Sequence, residues 1–123
     1  MELSNFPIFY VDDVPASVNF YRPLFEREPV DLRDNFALFV SESGNKLGLW
    51  AWHDVAPKSD KVAKASMEIA IEVSNLITLQ IHFRKWSELG VEIIQDISVM
   101  DFGTSFTVLD PDGHRLRVFC YEK

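Results

Sequence analysis

The sequence predicts an α+β fold made of two copies of one β-α-β-β-β unit, and three observations predict it. The first is a hairpin near the end of the chain. Ser105–Leu109 is rich in β-forming residues, Asp110-Pro111-Asp112-Gly113 is a turn, and Arg115–Tyr121 alternates again. In such a turn Pro presets φ, Asp hydrogen-bonds its own backbone and Gly accepts φ > 0. The second is repetition. Gly44-Asn45-Lys46-Leu47-Gly48-Leu49-Trp50 matches Gly113-His114-Arg115-Leu116-Arg117-Val118-Phe119 in its Gly, basic, Leu, aliphatic and terminal aromatic positions. The third is a pair of helix starts. Val11-Asp12-Asp13-Val14 and Val73-Ser74-Asn75-Leu76 are each a strand end followed by a capping side chain. Repeats read this way divide one domain, 1–123, into units of about 1–55 and 66–123 with a linker at 53–66.

In chain order, Phe6–Val11 reads as a short strand, apolar on both faces and so expected to be buried on both. Asp13 caps a helix with Pro15 in its first turn. Val14, Val18, Tyr21 and Phe25 form its apolar stripe. Pro23 should kink or end that helix. Val30–Arg33, Phe36–Ser41 and Lys46–Trp52 are three strands separated by Asp34-Asn35 and Ser43-Gly44-Asn45 turns. After the polar stretch from His53 to Ser66, Met67–Val73 alternates cleanly, with Met67, Ile69, Ile71 and Val73 on one face and Glu68, Ala70 and Glu72 on the other. Leu76, Leu79, Phe83 and Trp86 mark a second helix, stopped at Gly90. Val91–Ile97 is a strand, and 98–103 a loop leading into the closing hairpin. There Leu116, Val118 and Cys120 share one face, and Arg115, Arg117 and Phe119 the other. The helix of each unit covers one face of its sheet, which leaves the second face free.

Composition narrows the function classes. A formal net charge of −7 offers no basic stripe to nucleic acid. The single cysteine, Cys120, excludes an internal disulfide framework, and its alternation packs it inside. There is no apolar run long enough for a membrane span and no signal-peptide core, which predicts a cytoplasmic protein. The three histidines, His53, His82 and His114, fall on separate elements and read as solvated. No nucleophile elbow, P-loop or dinucleotide fingerprint occurs.

The chain resembles the vicinal oxygen chelate superfamily of glyoxalases, bleomycin-resistance proteins and extradiol dioxygenases. The resemblance is carried by Val11-Asp12-Asp13-Val14 with Phe20-Tyr21, and above all by Leu109-Asp110-Pro111-Asp112-Gly113 before the final strand. Within it, Phe20-Tyr21-Arg22, Phe25, Glu28-Pro29-Val30, Phe102-Gly103 and Asp110-Pro111-Asp112-Gly113-His114 are similar to phenazine-antibiotic-resistance binding proteins. The resemblance implies a cup-shaped mixed sheet with the helices outside, a homodimer, and a flat drug stacked on aromatic side chains. It also implies four divalent-metal positions, which fall here at Phe6, Gly48, Glu68 and Arg117. Only Glu68 has the chemistry of a ligand, since Phe6 and Gly48 offer no donor atom and Arg117 is permanently cationic. The departure from the family's pattern at these positions therefore argues for no cofactor and no metal.

Laid on those positions, Glu68 and Arg117 should form an ion pair on neighbouring strands, either holding a ligand or serving the fold alone. Trp50 and Trp52 share parity with Gly48 and should face the cavity, with Phe6 and Phe102 completing an apolar wall and Phe39 in the core. The expected function is metal-independent binding and sequestration of a small planar aromatic molecule, as in antibiotic resistance, rather than catalysis. The alternative is a metal-dependent glyoxalase-like lyase or dioxygenase using, for example, Glu68, Glu72 and His53.

Overall fold

The structure, a computed structural model, describes residues 1, 4–58 and 67–123. It divides into two compact units, Met1–Val62 and Ala63–Lys123. Each is a four-stranded mixed sheet with one helix, in the predicted β-α-β-β-β order. The part of the expected linker at 59–66 lies outside the described residues.

In the first unit the elements are β1 (Ile8–Val11), α1 (Val14–Phe25), β2 (Asp31–Leu32), β3 (Phe36–Val40) and β4 (Lys46–Ala51). The sheet order is β1-β4-β3-β2. Parallel strands need a long crossover connection, which α1, β2 and β3 supply here: β1 pairs with β4 in parallel, Ile8 opposite Gly48 and Tyr10 opposite Trp50. The two remaining pairings are antiparallel. Asp13 caps α1 as predicted, its Oδ1 accepting the Ala16 N–H at 3.0 Å. Val14, Val18, Tyr21 and Leu24 are buried on α1, and Ala37, Phe39, Leu47, Leu49 and Ala51 on the sheet. Tyr21, Phe25 and Phe39 meet ring to ring, with centroids 5.2 to 6.3 Å apart, which places Phe39 in the core.

Two expectations for this unit are corrected. Pro23 does not end α1, which runs on to Phe25 and stops at Glu26 with φ 51. A proline so near the end forfeits one helical hydrogen bond and leaves few turns to disrupt. The first strand is shorter than predicted and buried on one face only. Phe9 and Val11 are each 1% exposed, whereas Phe6 and Ile8 are exposed on the opposite side.

In the second unit β5 (Glu68–Glu72), α2 (Leu76–Glu88), β6 (Glu92–Met100), β7 (Gly103–Leu109) and β8 (Arg115–Cys120) form the order β5-β8-β7-β6, with β5 and β8 parallel. Asn75 caps α2 through Oδ1, which accepts from the Thr78 N–H at 2.8 Å and its hydroxyl at 2.9 Å. Gly90, with φ 77, follows the helix as the predicted stop. The Asp110–Gly113 turn works as its residues imply. The Asp110 carboxylate is buried and accepts the backbone N–H groups of Asp112 at 2.9 Å and His114 at 2.8 Å. Leu116, Val118 and Cys120 are buried, and Cys120 carries a free thiol. The segment expected to be a loop at 98–103 is largely strand. β6 continues to Met100, accommodating two irregularities in its register with β7, because a bulge absorbs an extra residue without ending the pairing.

Candidate ligand-binding faces

The free face of each sheet follows from strand alternation. On β4, Leu47, Leu49 and Ala51 point to the helix side, so Lys46, Gly48 and Trp50 point the other way. Register adds Ile8 and Tyr10 from β1 and Phe36 and Leu38 from β3. Gly48 is the floor of this face. A Cβ there would lie 3.1 Å from Ile8 Cγ1 and 3.4 Å from both Phe36 Cζ and Phe6 Cε2. Aromatic rings therefore close over the backbone at the one position that carries no side chain. Trp50 is half-buried and stands edge-on to Tyr10, with centroids 6.4 Å apart at 82°. Lys46 Nζ lies 5.6 Å from the centre of the Phe6 ring.

Trp52 does not share this geometry. β4 ends at Ala51, whose N–H is taken by the Asn35 carbonyl at 2.8 Å, and Trp52–Asp54 is a 3-10 turn. Strand parity lapses where the strand does, so parity alone does not place Trp52 on the face of Gly48 and Trp50. Its ring stands edge-on to His53 at 5.8 Å, and its indole N–H is buried with no hydrogen-bond partner among the described residues.

The free face of the second sheet is polar at its centre. Arg117 Nε donates to Glu68 Oε2 at 2.8 Å and Nη2 to Oε1 at 3.3 Å, the fork-on-fork geometry of a two-point ion pair. Nη1 donates to Gln95 Oε1 at 3.0 Å and to Ser105 Oγ at 3.2 Å. Thr107 Oγ1 donates to the same Gln95 oxygen at 3.0 Å. The predicted pair is thus present, and Gln95, Ser105 and Thr107 are the partners that the sequence reading missed. Their signal was the polar alternation Ser105, Thr107 opposite Phe119 and Arg117. Toward the end of β8 the face turns aromatic. Phe102, in the turn before β7, is 42% exposed and stands edge-on to Phe119 at 5.7 Å, which in turn meets Tyr121 at 5.5 Å. His53 is exposed, and His82 and His114 are partly exposed on separate elements.

The Arg117 hydrogen bonds hold the Glu68 carboxyl below its ordinary value of about 4.5. Partial burial opposes that shift, and the charges of Arg117 and Arg115 add to it. A depressed folded-state pKa stabilises the fold above the unfolded value and loses that contribution as pH falls through the folded value. The stability difference between wild type and Glu68→Gln is therefore expected to be full at pH 6 and to shrink steadily toward pH 3. Urea-unfolding midpoints of the two proteins across that range check it.

The two sheets place Phe6 with Gly48 as they place Glu68 with Arg117. Ile8 pairs with Gly48 and Ala70 with Arg117, and Phe6 and Glu68 each lie two residues earlier on the parallel strand. The four residues do not fit a divalent ion. Both Glu68 oxygens are taken by a guanidinium, the other positions supply no donor, and the described residues hold no group of three His, Cys, Asp or Glu side chains together.

A repeated βαβββ unit with a free face on each mixed sheet defines the class of glyoxalase/bleomycin-resistance-like folds. The chain belongs to the Glyoxalase/Bleomycin resistance protein/Dioxygenase superfamily, whose model matches residues 5–118. It is 28% identical over 119 residues to the phenazine antibiotic resistance protein EhpR of Enterobacter agglomerans, covering 93% of this chain and 88% of that one. Among solved structures, the solution NMR structure of a protein from Agrobacterium tumefaciens is 41% identical over the full length of both chains, with a TM-score of 0.88. A glyoxalase-related enzyme from Fulvimarina pelagi shares the fold at 19% identity, with a TM-score of 0.82 over 95% of this chain and 87% of that one. None of the helices among the described residues is long and apolar enough to cross a membrane.

Proposed function

We propose that this protein binds a planar aromatic small molecule without a metal and holds it unchanged, lowering its free concentration as a means of antibiotic resistance. The observation that carries the reading is the ring-lined free face of the first sheet, where Phe6 and Phe36 close over Gly48 and Tyr10 and Trp50 stand edge-on beside them. Such a surface suits a flat π-system, which gains about 0.5–1.5 kcal/mol per well-placed ring beyond the area it buries. The likeness to EhpR supports the same reading. So does the chemistry of the family's metal positions, where a guanidinium occupies the carboxylate that a cation would need. Sequestration requires affinity and abundance but no catalytic group. We place the binding protein in a homodimer, which light scattering of the purified chain reads directly.

The test is a titration of EDTA-treated protein with phenazine, followed by intrinsic tryptophan fluorescence. Saturable quenching at micromolar ligand is the expected result. Absence of binding by both fluorescence and calorimetry, across phenazine and other flat aromatics, overturns the reading. Binding that appears only after a divalent metal is restored overturns its metal-independent part in favour of a glyoxalase-like lyase or dioxygenase.

A further inference from the structure

We infer that the Phe6 ring is a built-in competitor for the ligand, seated over Gly48 in the place that a flat aromatic molecule takes when it binds. The inference rests on the preceding reading that the free face of the first sheet receives such a molecule. Gly48 carries no side chain and stands between Lys46 and Trp50 on that face of β4. Residues two apart along a strand are roughly 6.6 Å apart, and interacting rings prefer centroids about 4.5–7 Å apart. A ring set beside Trp50 along the strand therefore belongs over Gly48.

That place is already filled by the chain itself. Ile8 Cγ1 lies 3.1 Å, and Phe36 Cζ and Phe6 Cε2 each 3.4 Å, from where a Cβ on Gly48 would be. The three side chains differ in how they are held. Ile8 is β-branched, which confines its χ1, and Phe36 faces Trp50 directly across the β3–β4 ladder. Phe6 has neither restraint. It lies before β1, outside any strand or helix, and is 38% exposed. Of the three, its ring is the one placed to swing aside.

The backbone beside it is held. A residue before proline is restricted to extended conformations, and the Pro7 carbonyl accepts the Gly48 N–H at 3.0 Å. Movement therefore falls to the side chain alone. Lys46 keeps the ring seated, its Nζ 5.6 Å from the ring centre and within reach of a cation–π attraction. A ligand ring in the same place meets the same ammonium, so the exchange is like for like. The affinity measured for a ligand is then reduced by the fraction of molecules in which the place stands open.

The experiment measures phenazine affinity by calorimetry for wild type, two Phe6 variants and one control. Phe6→Ala is expected to bind about fivefold more tightly than wild type, as for a place open about a fifth of the time. Phe6→Leu keeps apolar bulk but offers Lys46 no ring, and it should show part of the same gain. Phe36→Ala, which removes a ring of the wall, should bind more weakly. Affinity of both Phe6 variants at or below that of wild type overturns the inference, since the ring is then part of the wall, while phenazine binding still upholds the function proposed above. An equal gain in Phe36→Ala overturns it as well, because any opening of the face would then suffice. If neither wild type nor the Phe6 variants bind phenazine, that function fails and this inference with it.

Discussion

Phe106→Ala is expected to cost about 3–5 kcal/mol of folding stability, the usual range for emptying a buried aromatic site. Phe106 is completely buried at the middle of β7, on the side of the sheet that meets α2. It stands edge-on to Phe83 at 5.2 Å and to Trp86 at 5.6 Å, both from the apolar stripe of that helix. Alanine removes the ring from between two others that are anchored to separate turns of one helix, so the space cannot close by a simple rotation. Whole-domain stabilities are typically about 5–15 kcal/mol, and a loss of this size removes a large share. A fall in the urea midpoint, with unchanged slope, measures it. Phe102→Ala provides the contrast. That ring is 42% exposed in a turn, and its removal is expected to cost under about 1 kcal/mol.

Trp50→Ala is expected to weaken phenazine binding by about 30- to 100-fold with a much smaller effect on folding. Trp50 stands on the free face of β4, while the buried residues of that strand, Leu47, Leu49 and Ala51, are on the other side. Removing the indole leaves the helix–sheet contact intact. The ligand loses a stacking partner worth about 0.5–1.5 kcal/mol, and also apolar contact at about 25 cal/mol per Å². Together these come to about 2–3 kcal/mol, and each 1.4 kcal/mol is a factor of ten. Trp50→Phe should recover most of the loss, since a flat face remains. Trp52→Phe should change affinity little, because Trp52 lies in the 3-10 turn past the strand end. Affinity of Trp50→Ala within twofold of wild type contradicts the stacking role.

Much of the fold was legible because local signals agreed with one another. Asp13 and Asn75 cap their helices through the oxygen atoms that recommended them. Asp110 closes its turn with its own side chain, and the Gly44–Trp50 and Gly113–Phe119 repeat fixed which strands run last in each sheet. The boundaries that failed did so where local pattern is a poor guide. Pro23 breaks a long helix but is tolerated two residues from its end. Met100 remains in strand because β7 supplies a partner across register irregularities that no sequence pattern announces.

The candidate site shows the same division. Parity brought Trp50 and Gly48 to one face and Glu68 and Arg117 to another. Alternation carried past Ala51 has no bearing on Trp52, because the strand ended one residue earlier than its apolar pattern. Tyr10 was missed although it sits opposite Trp50, since an aromatic residue in an apolar strand reads as core. Gln95 was missed for a different reason. A side-chain amide in an edge strand has no distinguishing pattern until its oxygen is found receiving Arg117 and Thr107.

The central claim is that the ligand is held and not converted. Equilibrium dialysis of phenazine against a series of protein concentrations, with mass spectrometry of the recovered compound, tests it most directly. Sequestration predicts that free phenazine falls in proportion to the protein added, ceases to fall when that protein is saturated, and returns chemically intact on denaturation. Consumption of many equivalents by a trace of protein, or recovery of an altered compound, contradicts it.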